Sequence, residues 1–108
     1  MELKKIGGLY SMSKLFVTIR KDLSHSQRAV QAGHAVAQYM LNCPNSSWKN
    51  QTLIYLGVKG LTQLENLKMK LRLRGTKFVE FKEPDIGNQT TAIASDIDDP
   101  IFNKLNLL

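Results

Sequence analysis

The 108-residue sequence predicts an α/β fold: a three-layer sandwich in which a four-stranded mixed β-sheet carries helices on both faces. Three observations predict it. Short β-branched and aromatic runs alternate with apolar residues at helical spacing, in the order strand, helix, strand, helix, strand, strand, helix. Each strand–helix–strand unit favours a parallel pair joined by a right-handed crossover. The short polar link after Phe81 favours an antiparallel neighbour instead.

The elements follow in chain order. Residues 1–13 show no clear periodicity, contain Gly7-Gly8 and read as a loosely ordered lead, with Met12 an alternative start. The domain proper spans 14–108. Lys14–Ile19, KLFVTI, has the β-branched and aromatic content of a strand. Arg20-Lys21-Asp22-Leu23 turns the chain at its carboxyl end. Ser24 and Gln27 have the spacing of a capping box, with Ser26 a competing cap, and open a helix that Pro44 stops near Asn42. Val30, Ala37 and Leu41, with Gly33 and His34 between them, mark its expected buried stripe. Gly33 costs about 1 kcal/mol against alanine, which points to a close approach by backbone or substrate.

After a polar connection holding Pro44 and Trp48, Thr52–Val58 reads as a second strand buried on both faces. Thr62 and Glu65 form a second capping box, Leu64, Leu67 and Leu71 follow at helical spacing, and Gly75 is the expected C-terminal cap. Phe78–Phe81 and Thr90–Ala94 read as the last two strands. Asp99-Pro100 supplies a cap and a first-turn proline for a short helix, Ile101–Leu107, with Ile101, Phe102 and Leu105 turned inward.

Composition limits the function. Hydrophobic content of 43% and charged content of 22% fit one globular domain. No apolar run approaches the ~20 residues of a membrane span, and MELKKIGGLYSMSK lacks the apolar core and cleavage site of a signal peptide. The single cysteine, Cys43, excludes an internal disulfide and a Cys-based metal cluster, so a cytoplasmic setting is expected. A net charge of +6 favours a polyanionic partner. The cations concentrate in KMKLRLRGTK, residues 68–77, where Lys68, Lys70, Arg72 and Arg74 stand without an acid. Part of that run also has a plain explanation, because cations at a helix C-terminus suit its dipole.

The densest chemistry lies between the last two strands. Glu83, Asp85, Asn88, Gln89, Thr90 and Thr91 crowd a link that Pro84 and Gly87 constrain. Such a link is either a polar turn satisfying its own backbone or a site held on rigid strands. His34 lies three positions after Gln31, so the two share a helix face. There His34 is either a core or contact histidine or part of a polar pocket. Arg28, Arg20 and Lys21 form a basic mouth where the first strand meets the first helix, a natural anion site. No His, Cys or carboxylate group has metal-ligand spacing, and no Walker A, dinucleotide or Gly-x-Ser-x-Gly motif occurs.

RKDLSHSQRAVQAGHAVAQY resembles the Arg-x-Asp-Leu … Gln-x-x-His-Ala block of the archaeal and eukaryotic type of peptidyl-tRNA hydrolase. KEPDIGNQTTAIA is similar to that family's second block, in the form found in its divergent branch of domain-containing members. The resemblance covers roughly 14–107. It implies a mixed four-stranded sheet with helices on both faces, metal-free hydrolysis of the ester between a peptide and the 3′-terminal ribose of tRNA, and a homodimer. Arg20, Asp22, Leu23, Gln31, His34 and Ala35 match the first block. Glu83 falls at the family's functional aspartate, and Thr90 or Thr91 near its functional threonine. The family's functional lysine has no lysine counterpart here; Arg28 is the nearest cation. The expectation is a hydrolase-like esterase needing no cofactor. Its catalytic group is Glu83, Arg28, Thr90, Thr91 and His34, with Glu83 and Arg28 meeting across one cleft. Arg20, Asp22, Gln31, Asn88, Lys68, Lys70, Arg72 and Arg74 would hold the tRNA. The alternatives are a non-catalytic RNA-binding module of the same fold and a protein-interaction domain.

Overall fold

A computed structural model describes the backbone of residues 3–6 and 9–108, and side chains from residue 13 onward. The chain is α/β. Its main sheet has five strands in the order β5–β6–β3–β4–β7, one more than expected. β3 (Lys14–Arg20) lies at the centre and is parallel to β4 (Thr52–Val58) and antiparallel to β6 (Gln89–Ser95). β5 (Val79–Glu83) pairs antiparallel with β6 and forms one edge. Because β3 and β5 both run opposite to β6, their carboxyl ends reach the same end of the sheet, as the sequence suggested.

The fifth strand comes from the segment expected to be a terminal helix. Asp99 does cap it, accepting from the Ile101 N–H at 2.9 Å, and Pro100 does open it. The helix ends after one 3-10 stretch, Pro100–Lys104, and Asn106–Leu107 (β7) then pairs with Gly57 and Leu56 of β4. Backbone groups that a very short helix would leave unpaired find partners along the open edge of β4 instead. Phe102 is still buried, with Ile101 and Leu105 packed beside it, so the apolar pattern was correct while its geometry was not. Leu3–Ile6 (β1) and Leu9–Met12 (β2) pair antiparallel in a separate sheet, where no regular element was expected. Gly7-Gly8 lie outside the described residues.

Alternation along β3 feeds two cores. Leu15, Val17 and Ile19 pack with Ala32, Ala35 and Tyr39 of α1 (His25–Asn42) and with Ala92 and Ala94. Phe16 packs with Leu56, Ile93 and Phe102, and with Leu64, Leu67 and Leu71 of α2 (Leu61–Leu73). These two environments are called the α1 side and the α2 side below.

Helix α1 starts as predicted, with the Ser24 hydroxyl accepting from the Gln27 N–H at 3.2 Å. Its buried stripe differs. Gln31, Ala32, Ala35 and Tyr39 face the sheet, while Val30 and Leu41 remain 46% and 77% exposed and Ala37 is exposed too. The small alanines at 32 and 35 let the helix rest on Ala92 and Ala94, which a valine–leucine stripe would hold farther off. Gly33 faces outward, and a Cβ there would meet nothing within 4 Å, so no backbone makes the close approach that was one reading of this glycine.

Helix α2 begins at Leu61 with Gly60 as its cap and no side-chain capping bond, so the Thr62–Glu65 box does not form. Its end follows expectation. Gly75 adopts φ +71° and donates to Arg72 O, and the Thr76 N–H reaches back to Leu71 O at 2.9 Å, a Schellman closure.

Leu64 is fully buried on the α2 side, so Leu64→Ala should cost about 2–5 kcal/mol in urea unfolding. Leu41→Ser, on the exposed face of α1, should stay within about 0.5 kcal/mol. Equal losses for the two would mean that α1 is rotated from the position described.

Candidate functional site

The carboxyl ends of β3 and β5 and the start of β6 converge, and one irregularity decides which side chains meet there. Across β5–β6, Phe81 lies opposite Ala92 but Lys82 lies opposite Thr90, so Thr91 is an extra residue in a β-bulge. Strict alternation fails at this point. Thr91 turns to the α1 side together with Ala92, while Thr90 turns to the α2 side.

On the α1 side, the Thr91 hydroxyl donates to Gln31 Oε1 at 2.6 Å. Gln31 Nε2 in turn donates to Glu83 Oε1 at 3.2 Å and to Gln27 Oε1 at 3.4 Å. Gln31 is 1% exposed and Thr91 is fully buried, whereas Glu83 is half-buried at the mouth. A hydroxyl, an amide and a carboxylate are thus linked in series across β6, α1 and β5. His34, one turn beyond Gln31, lies exposed with its ring stacked on Phe81 at 4.3 Å and 5°. It is neither a core histidine nor a hydrogen-bonded member of the series; it roofs the strand that carries Glu83.

The expected meeting of Glu83 with Arg28 is replaced by the bond from Gln31. Arg28 curls back from the first turn of α1, donating from Nε to Leu23 O at 3.0 Å and from Nη2 to Lys21 O. These carbonyls belong to the bend between β3 and α1, so the guanidinium closes that bend.

Arg20 is also committed to the scaffold. It makes a fork with the Asp22 carboxylate at 3.0 and 2.7 Å, and Nη1 donates to Gln89 Oε1 at 2.9 Å and Thr90 O at 3.3 Å. The Arg20 hydrogen bond holds the Asp22 carboxyl below its ordinary range, over the opposing effect of partial burial. Buried Arg20 therefore ties the end of β3 to the start of β6 rather than offering itself to a phosphate. Asn88, at φ 59°, closes the hairpin through a backbone bond to Glu83 O at 2.9 Å, and Gly87 beside it takes φ 70° as the turn reading required. The Asn88 side chain is left at the exposed tip.

The basic run 68–77 does not form one surface. Lys68 is 4% exposed on the α2 side, paired with Glu65 and Glu80, and its ammonium donates to the Thr90 hydroxyl at 2.9 Å. That hydroxyl donates onward to Glu80 Oε2 at 3.1 Å. Burial pushes the Glu80 carboxyl up, but the Lys68 hydrogen bond and charge, with help from Thr90 and Lys82, leave it below its ordinary value. Arg72 lies over the Phe78 ring, 5.3 Å from its centre. Arg74 binds Asp99 through Nε at 3.0 and 2.8 Å. Of the four cations of this run assigned to tRNA, Lys70 alone is exposed without one of these engagements.

Glu80, Gln89 and Asp99 were missed as partners. Their signal was present but faint: a carboxylate in an alternating strand, or a cap beside a helix-end arginine, demands a counter-ion if buried. At the other end of the sheet, the Tyr39 hydroxyl and the Ser46 hydroxyl both donate to Asp96 Oδ2, at 2.8 and 2.9 Å. Burial lifts the Tyr39 hydroxyl well above its ordinary range. A cavity of about 650 Å³ opens there beside Cys43 and Phe78; of the expected site residues, Arg72 alone lines it.

Two outcomes test these placements. Lys68→Met should destabilise by about 3 kcal/mol, since Glu80 would lose its buried counter-ion; a solvated RNA-binding lysine would show almost no loss. Asp99 is held far below the usual carboxylate range by the Arg74 hydrogen bond, then by the Ile101 N–H and the Thr76 hydroxyl. A depressed carboxyl adds stability that is complete above its unfolded value, about 4, and is lost as pH falls through the folded one. The melting temperature should therefore drop more steeply below about pH 4 in the wild type than in Asp99→Asn. Parallel curves would remove Asp99 from the acid response.

No protein-family model matches the chain, and no curated protein matches it. Among solved structures the chain is similar to that of Atu0240, a protein of unknown function from Agrobacterium tumefaciens strain C58. The match has a TM-score of 0.68 at 13% identity and covers 89% of this chain and 97% of the other. At that identity the likeness is one of fold.

Proposed function

We propose that the chain is a peptidyl-tRNA hydrolase-like esterase, cleaving the ester between an acyl group and the 3′-terminal ribose of an RNA. Its scaffold in this reading is a three-layer one, with a helix on each face of the sheet. The observation that carries the reading is the series Thr91–Gln31–Glu83. One Glu83 oxygen is fixed by an amide donor, which orients the carboxylate at the mouth, where the other oxygen can hold and deprotonate a water. Gln31 and Thr91 are positioning residues. The threonine hydroxyl fixes which end of the Gln31 amide faces Glu83, because Oε1 is occupied as an acceptor and Nε2 must then point outward. His34 and Phe81 offer a flat apolar roof suited to a terminal base or an apolar acyl group.

A second reading draws on the cations. With Arg28 bonded to carbonyls and Arg20 to Asp22, no cation among the described residues forms an ion pair with Glu83, which favours a binding module that retains the fold without turnover.

Purified protein incubated with peptidyl-tRNA, beside aminoacyl-tRNA, separates the two. The esterase reading expects release of free peptide, and Glu83→Gln should lower kcat by ~10²-fold with the fold intact. Gln31→Leu should lower kcat with little change in KM, and Gln31→Glu should not restore it. Salt-sensitive tRNA binding without hydrolysis would establish the second reading and end the first.

A further inference from the structure

A second concavity, of about 350 Å³, opens where β4 passes into α2, at the carboxyl end of the strand. That is within the ~300–1,000 Å³ of small-molecule sites, and the carboxyl ends of strands are where open α/β sheets place ligands. Three lysines reach it from three separate elements: Lys59 from the β4–α2 link, Lys70 from α2, and Lys104 from the 3-10 stretch. The amides of Gln63, Asn66 and Asn106 line it too, and among the described residues no carboxylate does. The contrast with the other cations is sharp. Arg20, Lys68 and Arg74 are each matched to a carboxylate. Among the described residues, Lys59, Lys70 and Lys104 form no ion pair.

We propose that this concavity binds a small phosphorylated organic anion. Three like charges around one concavity repel one another, and only an anion placed between them reverses the sign of that energy. The amide NH₂ groups supply directional donors for phosphate oxygens. The floor is apolar, made by Val58 and Leu67 with Ile101 and Leu105, and it suits the organic part of such a ligand. None of these residues belongs to the Thr91–Gln31–Glu83 series, so the proposal stands whether or not the esterase reading does.

The test is a titration of the isotopically labelled chain followed by amide NMR, with pyrophosphate, adenosine 5′-monophosphate and adenosine as probes. Pyrophosphate and the monophosphate should give saturable shifts at Gly57, Lys59, Gln63, Lys70 and Asn106, and adenosine should not. Lys70→Glu with Lys104→Glu should weaken the monophosphate roughly tenfold or more. The milder Lys70→Gln with Lys104→Gln should weaken it less, and covers the case in which the first pair misfolds. Lys49→Glu, which removes an exposed lysine outside the concavity, should leave affinity unchanged. The proposal fails if neither phosphate saturates at millimolar concentration, or if Lys49→Glu weakens binding as much as the double variants. It also fails if only RNA oligonucleotides bind, with affinity rising with length, since the lysines would then serve an extended backbone surface.

Discussion

One extra residue in β6 determines how both sides of the sheet are wired. Without the bulge, adjacent threonines would still point to opposite sides, but with their assignments exchanged: Thr91 would sit with Ile93 on the α2 side and Thr90 with Ala92 on the α1 side. Slipping the register by one places Thr91 against Gln31 and Thr90 between Lys68 and Glu80. Two buried polar systems, each spanning a helix and two strands, depend on that local count. The bulge also lies next to Glu83, so the same irregularity that satisfies the core sets the angle at which the carboxylate is presented.

Much of the architecture was readable from the chain. The four expected strands, the Ser24 cap, the Gly75 closure and the tight turn at Pro84–Gly87 each rest on short-range rules, and each was found close to where the rules placed it. What was misread depended on distant partners. The rotation of α1 was decided by Ala92 and Ala94, some sixty positions away, and Val30 and Leu41 were left outside. The last strand formed because β4 had an open edge, which no property of Ile101–Leu107 announces. For the site, Glu83 and the threonines were legible as a group and Gln31 as a separate candidate, while the bonds that join them through Gln31 were not. The bulge that chooses between Thr90 and Thr91 was not, since it is a property of pairing rather than of either strand.

Charge was the most misleading sequence feature. Five cations in ten residues suggested one electropositive face, yet the turns of α2 and the loop after it separate them and give several of them different partners. Buried Lys68 faces the sheet, Arg72 covers an aromatic ring, and Arg74 anchors the loop before β7 through Asp99. The excess positive charge that remains available is therefore carried in part by residues dispersed in sequence, Lys59, Lys70 and Lys104 among them, which come together only on folding. A linear charge run and a folded electrostatic surface are different objects, and the run shares only Lys70 with the concavity beside β4.

The sheet ends on β5, an edge strand with one paired side. Such a strand is a template on which another chain can add itself, and its flat apolar side, Val79 and Phe81, would welcome one. Two devices stand against this. Lys82, the fourth residue of this strand, keeps a half-exposed ammonium beside Glu80, and a chain that covered it would have to desolvate that charge. Pro84 then ends the strand at once, which limits the template to five residues. His34, stacked over Phe81, shields the apolar side from above. The histidine that the sequence offered as a catalytic candidate thus has a structural consequence: its ring covers apolar surface on a strand that has one side unpaired.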